Sequence, residues 1–172
     1  MDDPIYLAVG LLVIRVVIGG VVVAHGLQKF GFLGGHGQQG TIQFLEGGLG
    51  FRPGWFWALV VGLAEAVGGA LMVIGFLGPI GPLAVAADLF VAMVAVHWAK
   101  GFWNMAGGIE FTLALVGASI GLALTGFGAV SVDALIGLTY SEWVLVGWAA
   151  AMAIGAAVAL VGGSTTSGAA KA

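Results

Sequence analysis

The chain has 172 residues, 60% of them hydrophobic and only 8% charged, with a net charge of −3 and no cysteine. So few charges cannot cover a water-facing surface, since a soluble domain carries about 25% charged residues; the chain reads as an all-α integral membrane protein. Disulfides, thiolate metal sites, iron–sulfur clusters and haem linked through Cys are excluded, and five Lys and Arg make no basic patch for nucleic acid.

The N-terminus begins Met1-Asp2-Asp3, has no positive n-region, and Arg15 interrupts its apolar run, so we expect a retained helix rather than a signal peptide. Five segments approach the roughly 20 apolar residues needed to cross hydrocarbon. They are 5–30, 55–78, 82–100, 109–126 and 142–163. The fourth is short and contains glycine. Gly78-Pro79-Ile80-Gly81-Pro82 is expected as the turn between spans two and three. The small, polar stretch at 164–172 is expected to be disordered.

The stretch 31–54 is long for a connection. It is either a plain loop or a lid or re-entrant segment. Thr41 could cap a short interfacial helix running through Glu46, and Trp55 and Trp57 suit a membrane boundary. With five spans the ends alternate. One end holds Lys29, Arg52, Lys100 and Lys171; the other holds no Lys or Arg but has Asp2, Asp3, Asp133 and Glu142. The positive-inside rule then puts the N-terminus outside and the C-terminus in the cytoplasm of a multi-pass protein; a prokaryotic plasma membrane is the expected location. Small residues recur every fourth position at Ala58, Gly62, Ala66, Ala70 and at Ala149, Ala153, Ala157, a spacing that lets helices approach closely in lipid.

Polar residues in such a chain are informative, because a charge at the bilayer centre costs about 2.5–3.5 kcal/mol on insertion scales. Counted from span ends at 1.5 Å per residue, Arg15 lies roughly 22 Å deep, Glu65 roughly 15 Å and Asp88 roughly 18 Å. His25, Gln28, Lys29, His97, Lys100 and Glu110 fall within roughly 8 Å of one face. We therefore expect an Arg15–Glu65 pair as the floor of a pocket and the other six residues as its mouth. The plainer alternative is an ion pair that only locks helices, with Lys29 and Lys100 snorkelling. On a straight helix Asp88 and His97, nine residues apart, point about 180° away from each other. Asp88 is thus left either pairing with Arg15 or facing another subunit of a homo-oligomer.

Ammonium, imidazole and amide groups beside an apolar wall with Trp98 or Trp103 suit a quinone head group, whose two carbonyl oxygens need donors. A His or carboxylate could relay the protons of quinone reduction. His25 and His97 as bis-axial haem ligands carry less weight. No spacing suggests a metal site, and catalytic residues cannot be named.

Four stretches resemble the DoxX family in consistent order. "RVVIGGVVVAHGLQKFGFLGG" resembles its first span, "GLAEAVGGALMVIGFLGP" its second, "MVAVHWAKGFWNMAGGIEFTLALVG" its third leading into the fourth, and "GFGAVSVDAL" its Gly-rich Ser-x-Asp ending. Arg15, His25, Lys29, Glu65, His97 and Glu110 match the family's polar set, and Asp88 matches no counterpart. The resemblance implies a four-helix membrane domain over 1–140, with 141–163 an additional transmembrane helix outside the family core. It also implies a redox-linked membrane subunit: related DoxD proteins are the membrane subunit of a thiosulfate–quinone oxidoreductase, and DoxX proteins are linked to thiol or oxidative-stress complexes. The expected function is binding of a quinone or similar molecule in the cytoplasmic-half pocket, working with a redox or respiratory partner protein. The alternatives are a non-enzymatic scaffold that recruits such a complex through the fifth helix, and a small-solute or proton-coupled carrier. The carrier reading is weakened by the lack of evident inverted repeats.

Overall fold

A computed structural model describes residues 4–169. Among the described residues there is no strand. The helices are α1 (Pro4–Lys29), α2 (Gly37–Ile42), α3 (Gly54–Ile74), α4 (Ile80–Ala92), α5 (Glu110–Thr125), α6 (Val132–Ile136) and α7 (Glu142–Ala169). Two of them change pitch. α2 runs on as a π turn over Gln43–Gly48, and α4 as a π turn over Met93–His97 and a 3₁₀ turn over Trp98–Lys100.

Four helical stretches are long and apolar enough to cross a membrane: Ile5–Lys29, Gly54–Ile74, Ile80–Lys100 and Glu142–Gly163. α5 is apolar but has 16 residues, or about 24 Å against a hydrocarbon core of about 30 Å. The chain is therefore an all-helical membrane protein. α3 stops at Ile74, before the expected 78, because Gly75 takes the left-handed conformation (φ 70°) that closes helix ends. α7 continues to Ala169 and so takes in most of the stretch expected to be disordered; residues 170–172 lie outside the described residues.

Lipid offers no hydrophobic drive for helix association, so close packing must hold the bundle. α1 and α3 achieve it through glycine. A Cβ on Gly19 would stand 2.8 Å from the Gly69 carbonyl oxygen, and one on Gly26 would overlap the backbone of Ala66. α3 and α4 meet the same way, a Cβ on Gly68 reaching Val85 Cγ2 at 2.9 Å. α5 completes the group of four, with Leu89 of α4 and Leu115, Val116 and Leu122 of α5 in one core with Val22 of α1 and Met72 of α3. α7 leans on α4, where Trp148 Nε1 donates to the Ile80 carbonyl at 3.0 Å. It is the least buried of the four long spans. Ala149, Ala153 and Ala157 of its small-residue row line an apolar groove against α4 and α5.

The stretch between α1 and α3 is folded onto the bundle rather than looped out. Thr41 is buried in mid-helix, and its hydroxyl donates back to the Gly37 carbonyl at 2.9 Å instead of capping a helix. Glu46 is the cap, but for α3: its Oε2 accepts from the Gly54 N–H at 2.8 Å. Leu45 and Phe51 pack on Ala58 of α3 and Ala159 of α7 as a second core.

Candidate functional site

The helix register decides which polar residues meet. α1 and α3 are antiparallel, with Gly19 opposite Gly69 and Gly26 opposite Ala66. Lys29 and Glu65 lie between the Gly26–Ala66 contact and the next one, Phe30 on Gly62. Their side chains form a salt bridge, Lys29 Nζ to Glu65 Oε2, with Glu65 almost fully buried and Lys29 largely so. Glu65 is eleven residues into α3, so α1 ends beside the middle of α3, roughly 16 Å along it. The segment 31–53 fills the remaining length. The Phe30 ring and Gln38 Nε2 lie against Gly62, one turn from Glu65.

Arg15 is not the partner of Glu65. The same register puts it beside Gly75, at the opposite end of α3, where a Cβ would collide with its guanidinium. Its Nη2 donates to the Val130 carbonyl, while Nε and Nη1 have no hydrogen-bond partner. The expected pairing failed because depth was counted from each span's own end, and α1 and α3 do not end at one level.

Asp88 joins the pair instead. With Gly68 opposite Val85, three residues further along each helix bring Glu65 opposite Asp88. The Asp88 side chain meets the Glu65 carboxyl and lies within Coulombic reach of Lys29. The π turn removes the angular conflict with His97. An extra residue in a turn rotates the rest of the helix by about 100°, which leaves Asp88 and His97 roughly 80° apart rather than 180°.

His97, Lys100 and Glu110 are gathered by the turn between α4 and α5. His97 Nδ1 is 2.7 Å from the Gly107 carbonyl, the Lys100 stem crosses Gly107, and Glu110 Oε2 accepts from the Asn104 N–H at 2.9 Å. His25 is exposed and faces Phe111 of α5, ring centres 6.0 Å apart at 47°. Gln28 is exposed next to it, its backbone carbonyl accepting from Gly31 at 3.1 Å. α1 and α5 touch sparsely, so a seam runs between them. Further along it, Val13, Ile14, Val17 and Ile18 of α1 face Ala118 and Gly121 of α5 across an apolar groove of about 510 Å³. The eight expected site residues thus divide into a buried pair (Lys29 and Glu65), an adjoining seam (His25 and Gln28), a turn (His97, Lys100 and Glu110) and a separate end (Arg15). Among the described residues no group of three or more His, Asp or Glu could hold a metal ion.

A second polar centre at the Arg15 end was not anticipated as a unit. Asp133 Oδ1 accepts from the Leu77 N–H at 3.1 Å and from the Tyr140 hydroxyl at 3.0 Å; Oδ2 accepts from the Gly78 N–H at 2.8 Å. Its own N–H donates to the Gly75 carbonyl at 3.0 Å. Asp133 thus ties the 126–140 segment to the α3–α4 turn. Burial, then the hydrogen bond to Asp133 and its charge, push the Tyr140 phenol up to about 12. The Ser131-x-Asp133 pair was the signal in the sequence; two of the partners of Asp133 are backbone groups about 55 residues away, which no local pattern shows.

The family model described as DoxX matches residues 10–98, the stretch that carries Arg15, His25, Lys29, Glu65, Asp88 and His97. The protein named "Putative oxidoreductase CatD" of Bacillus subtilis (strain 168) is 34% identical over 128 residues, covering 74% of this chain and 87% of that protein. No solved structure matches the chain.

Proposed function

The chain belongs to the DoxX family, and on that premise we propose that it is a redox-linked membrane subunit that holds a quinone, or a similar small carbonyl compound, at the α1–α5 seam. One observation carries this reading. The seam is polar at one end, with His25 and Gln28 next to the buried Lys29–Glu65 pair, and apolar along the rest of its length. A quinone has the same two parts: a ring whose carbonyl oxygens need donors, and a tail that needs hydrocarbon walls. His25 and Gln28 supply reachable N–H donors, Phe111 a flat apolar surface, and the groove a place for the tail. The oxidoreductase in the relative's name agrees with the redox class. The positive-inside rule orients the Lys29 end toward the cytoplasm.

The test is equilibrium binding of a short-tail quinone to the full protein in mild detergent, with His25→Ala as the comparison. Losing one hydrogen-bond donor to the head group weakens binding by about 0.5–1.5 kcal/mol. Binding unchanged by His25→Ala, or no binding by the native protein, overturns the reading.

A scaffold role has one observation in its favour. α7 buries little of itself, and its Ala149, Ala153 and Ala157 line an open apolar groove that suits a partner helix. Recruitment of a redox partner through α7 is compatible with a quinone at the seam, because the two grooves are lined by different residues of α5, Val116 and Ile120 in one and Ala118, Gly121 and Leu122 in the other.

A further inference from the structure

The cluster at Glu65 has an unbalanced charge. Glu65 is paired with the Lys29 ammonium, and Asp88 sits against Glu65 within Coulombic reach of the same ammonium, so two carboxyl groups face one cation. Their closeness follows from the backbone, since Gly68 seats α3 on Val85 of α4 one turn away: a Cβ on Gly68 would stand 2.9 Å from Val85 Cγ2. Other ionisable groups on the elements around the cluster are engaged elsewhere. Glu46 caps α3, His36 lies against Gly40, His97 meets the Gly107 carbonyl, Glu110 accepts from Asn104, and Arg15 is at the far end of α3. His25 faces Phe111. α5 beyond Glu110 and the 143–163 stretch of α7 contain no ionisable residue.

Two bare carboxylates in contact inside a bundle repel each other and have both lost hydration. A proton between them turns that repulsion into a hydrogen bond, and one ammonium then suffices for the remaining charge. We propose that Glu65 and Asp88 share one exchangeable proton, with Lys29 as the counter-ion, so that the cluster is a proton-binding site within the membrane. Asp88 gains a role that its sequence position did not suggest. The use of this proton in redox chemistry rests on the preceding proposal; the proton site itself does not.

The test uses dicyclohexylcarbodiimide on membranes containing the full protein. This apolar reagent requires a protonated carboxyl. The acid adds across a C=N bond, oxygen to carbon and proton to nitrogen, and the acyl group then migrates to nitrogen to leave a stable acylurea. The expected result at neutral pH is an adduct on the peptide carrying Glu65 or Asp88, fading as pH is raised. Asp88→Asn, nearly isosteric, should lose the adduct, because Lys29 then keeps Glu65 ionised. Lys29→Met should increase it. The pH dependence of the native protein needs no variant to fold. No adduct at either residue, or labelling unchanged in Asp88→Asn, overturns the proposal. So does labelling suppressed by sodium at constant pH, which would place a metal cation between the carboxyls. Short-tail quinone binding measured on the same membranes separates the two proposals. Labelling without quinone binding removes only the quinone, and quinone binding without labelling removes only the shared proton.

Discussion

Lys29 and Glu65 close a salt bridge at the level where α1 ends and α3 is half-way along its length, with the Glu65 side chain 6% exposed and that of Lys29 20%. The asymmetry sets a prediction. In Glu65→Gln the ammonium keeps Asp88 within Coulombic reach and can also bend toward water on its flexible stem. In Lys29→Met the carboxylate on its short stem stays behind. Lys29→Met should therefore cost more, toward the 3–5 kcal/mol typical of an orphaned buried charge, and its deficit should shrink on acidification. Unfolding in detergent across a pH series reads both effects. Equal costs for the two variants would contradict the burial difference.

Gly26 permits that meeting. A Cβ there would overlap the Ala66 backbone, whereas one on Gly10 or Gly20 would touch nothing within 4 Å. Gly26→Ala should cost about 1–3 kcal/mol or more through overpacking, and Gly10→Ala and Gly20→Ala should be near neutral or stabilising. The same unfolding assay compares the three. Tolerance of Gly26→Ala would mean that α1 and α3 stand further apart than this contact requires.

Arg15 should behave as part of the opposite end of the bundle. It holds the Val130 carbonyl, so Arg15→Ala should loosen the 126–137 segment and raise its hydrogen exchange, leaving the α1–α5 seam near His25 unchanged. Its stability cost should add to that of Lys29→Met, since well-separated sites without shared partners are additive to within about 0.5 kcal/mol. Strong coupling would place Arg15 back with Glu65.

Tyr140 gives an alkaline signature. Its phenol is pushed up to about 12, against about 10 for an ordinary tyrosine. The folded state thus keeps a proton that the unfolded state loses first. The stability this provides is complete below about pH 10 and is lost as pH rises toward the folded value. Phenolate absorbance should show a late-titrating tyrosine that disappears in Tyr140→Phe and moves down in Asp133→Asn. An unchanged titration in Asp133→Asn would contradict the hydrogen bond.

The membrane class, the spans and the family were readable because hydropathy and the motif order are local properties of the chain. Register was not. Lys29 and Arg15 are both cations on α1, and choosing which one faces Glu65 requires knowing that Gly26 seats on Ala66. Asp88 was unassignable on a straight helix, and the π turn at Met93–His97 that rephases it has no sequence signature. The 31–53 segment reads as glycine-rich punctuation, while its fold depends on Leu45 and Phe51 finding Ala58 and Ala159, residues distant in sequence.

A quinone-like molecule held at the α1–α5 seam, with Lys29 and Glu65 at its polar end, would be within reach of photo-crosslinking. A short-tail azidoquinone, irradiated on the full protein and followed by peptide mapping, reads its position. Adducts should concentrate on residues 25–29 of α1 and on Phe111 of α5, and unlabelled quinone should compete them away. Adducts confined to the α4–α7 groove, or scattered without competition, would contradict a quinone at the seam.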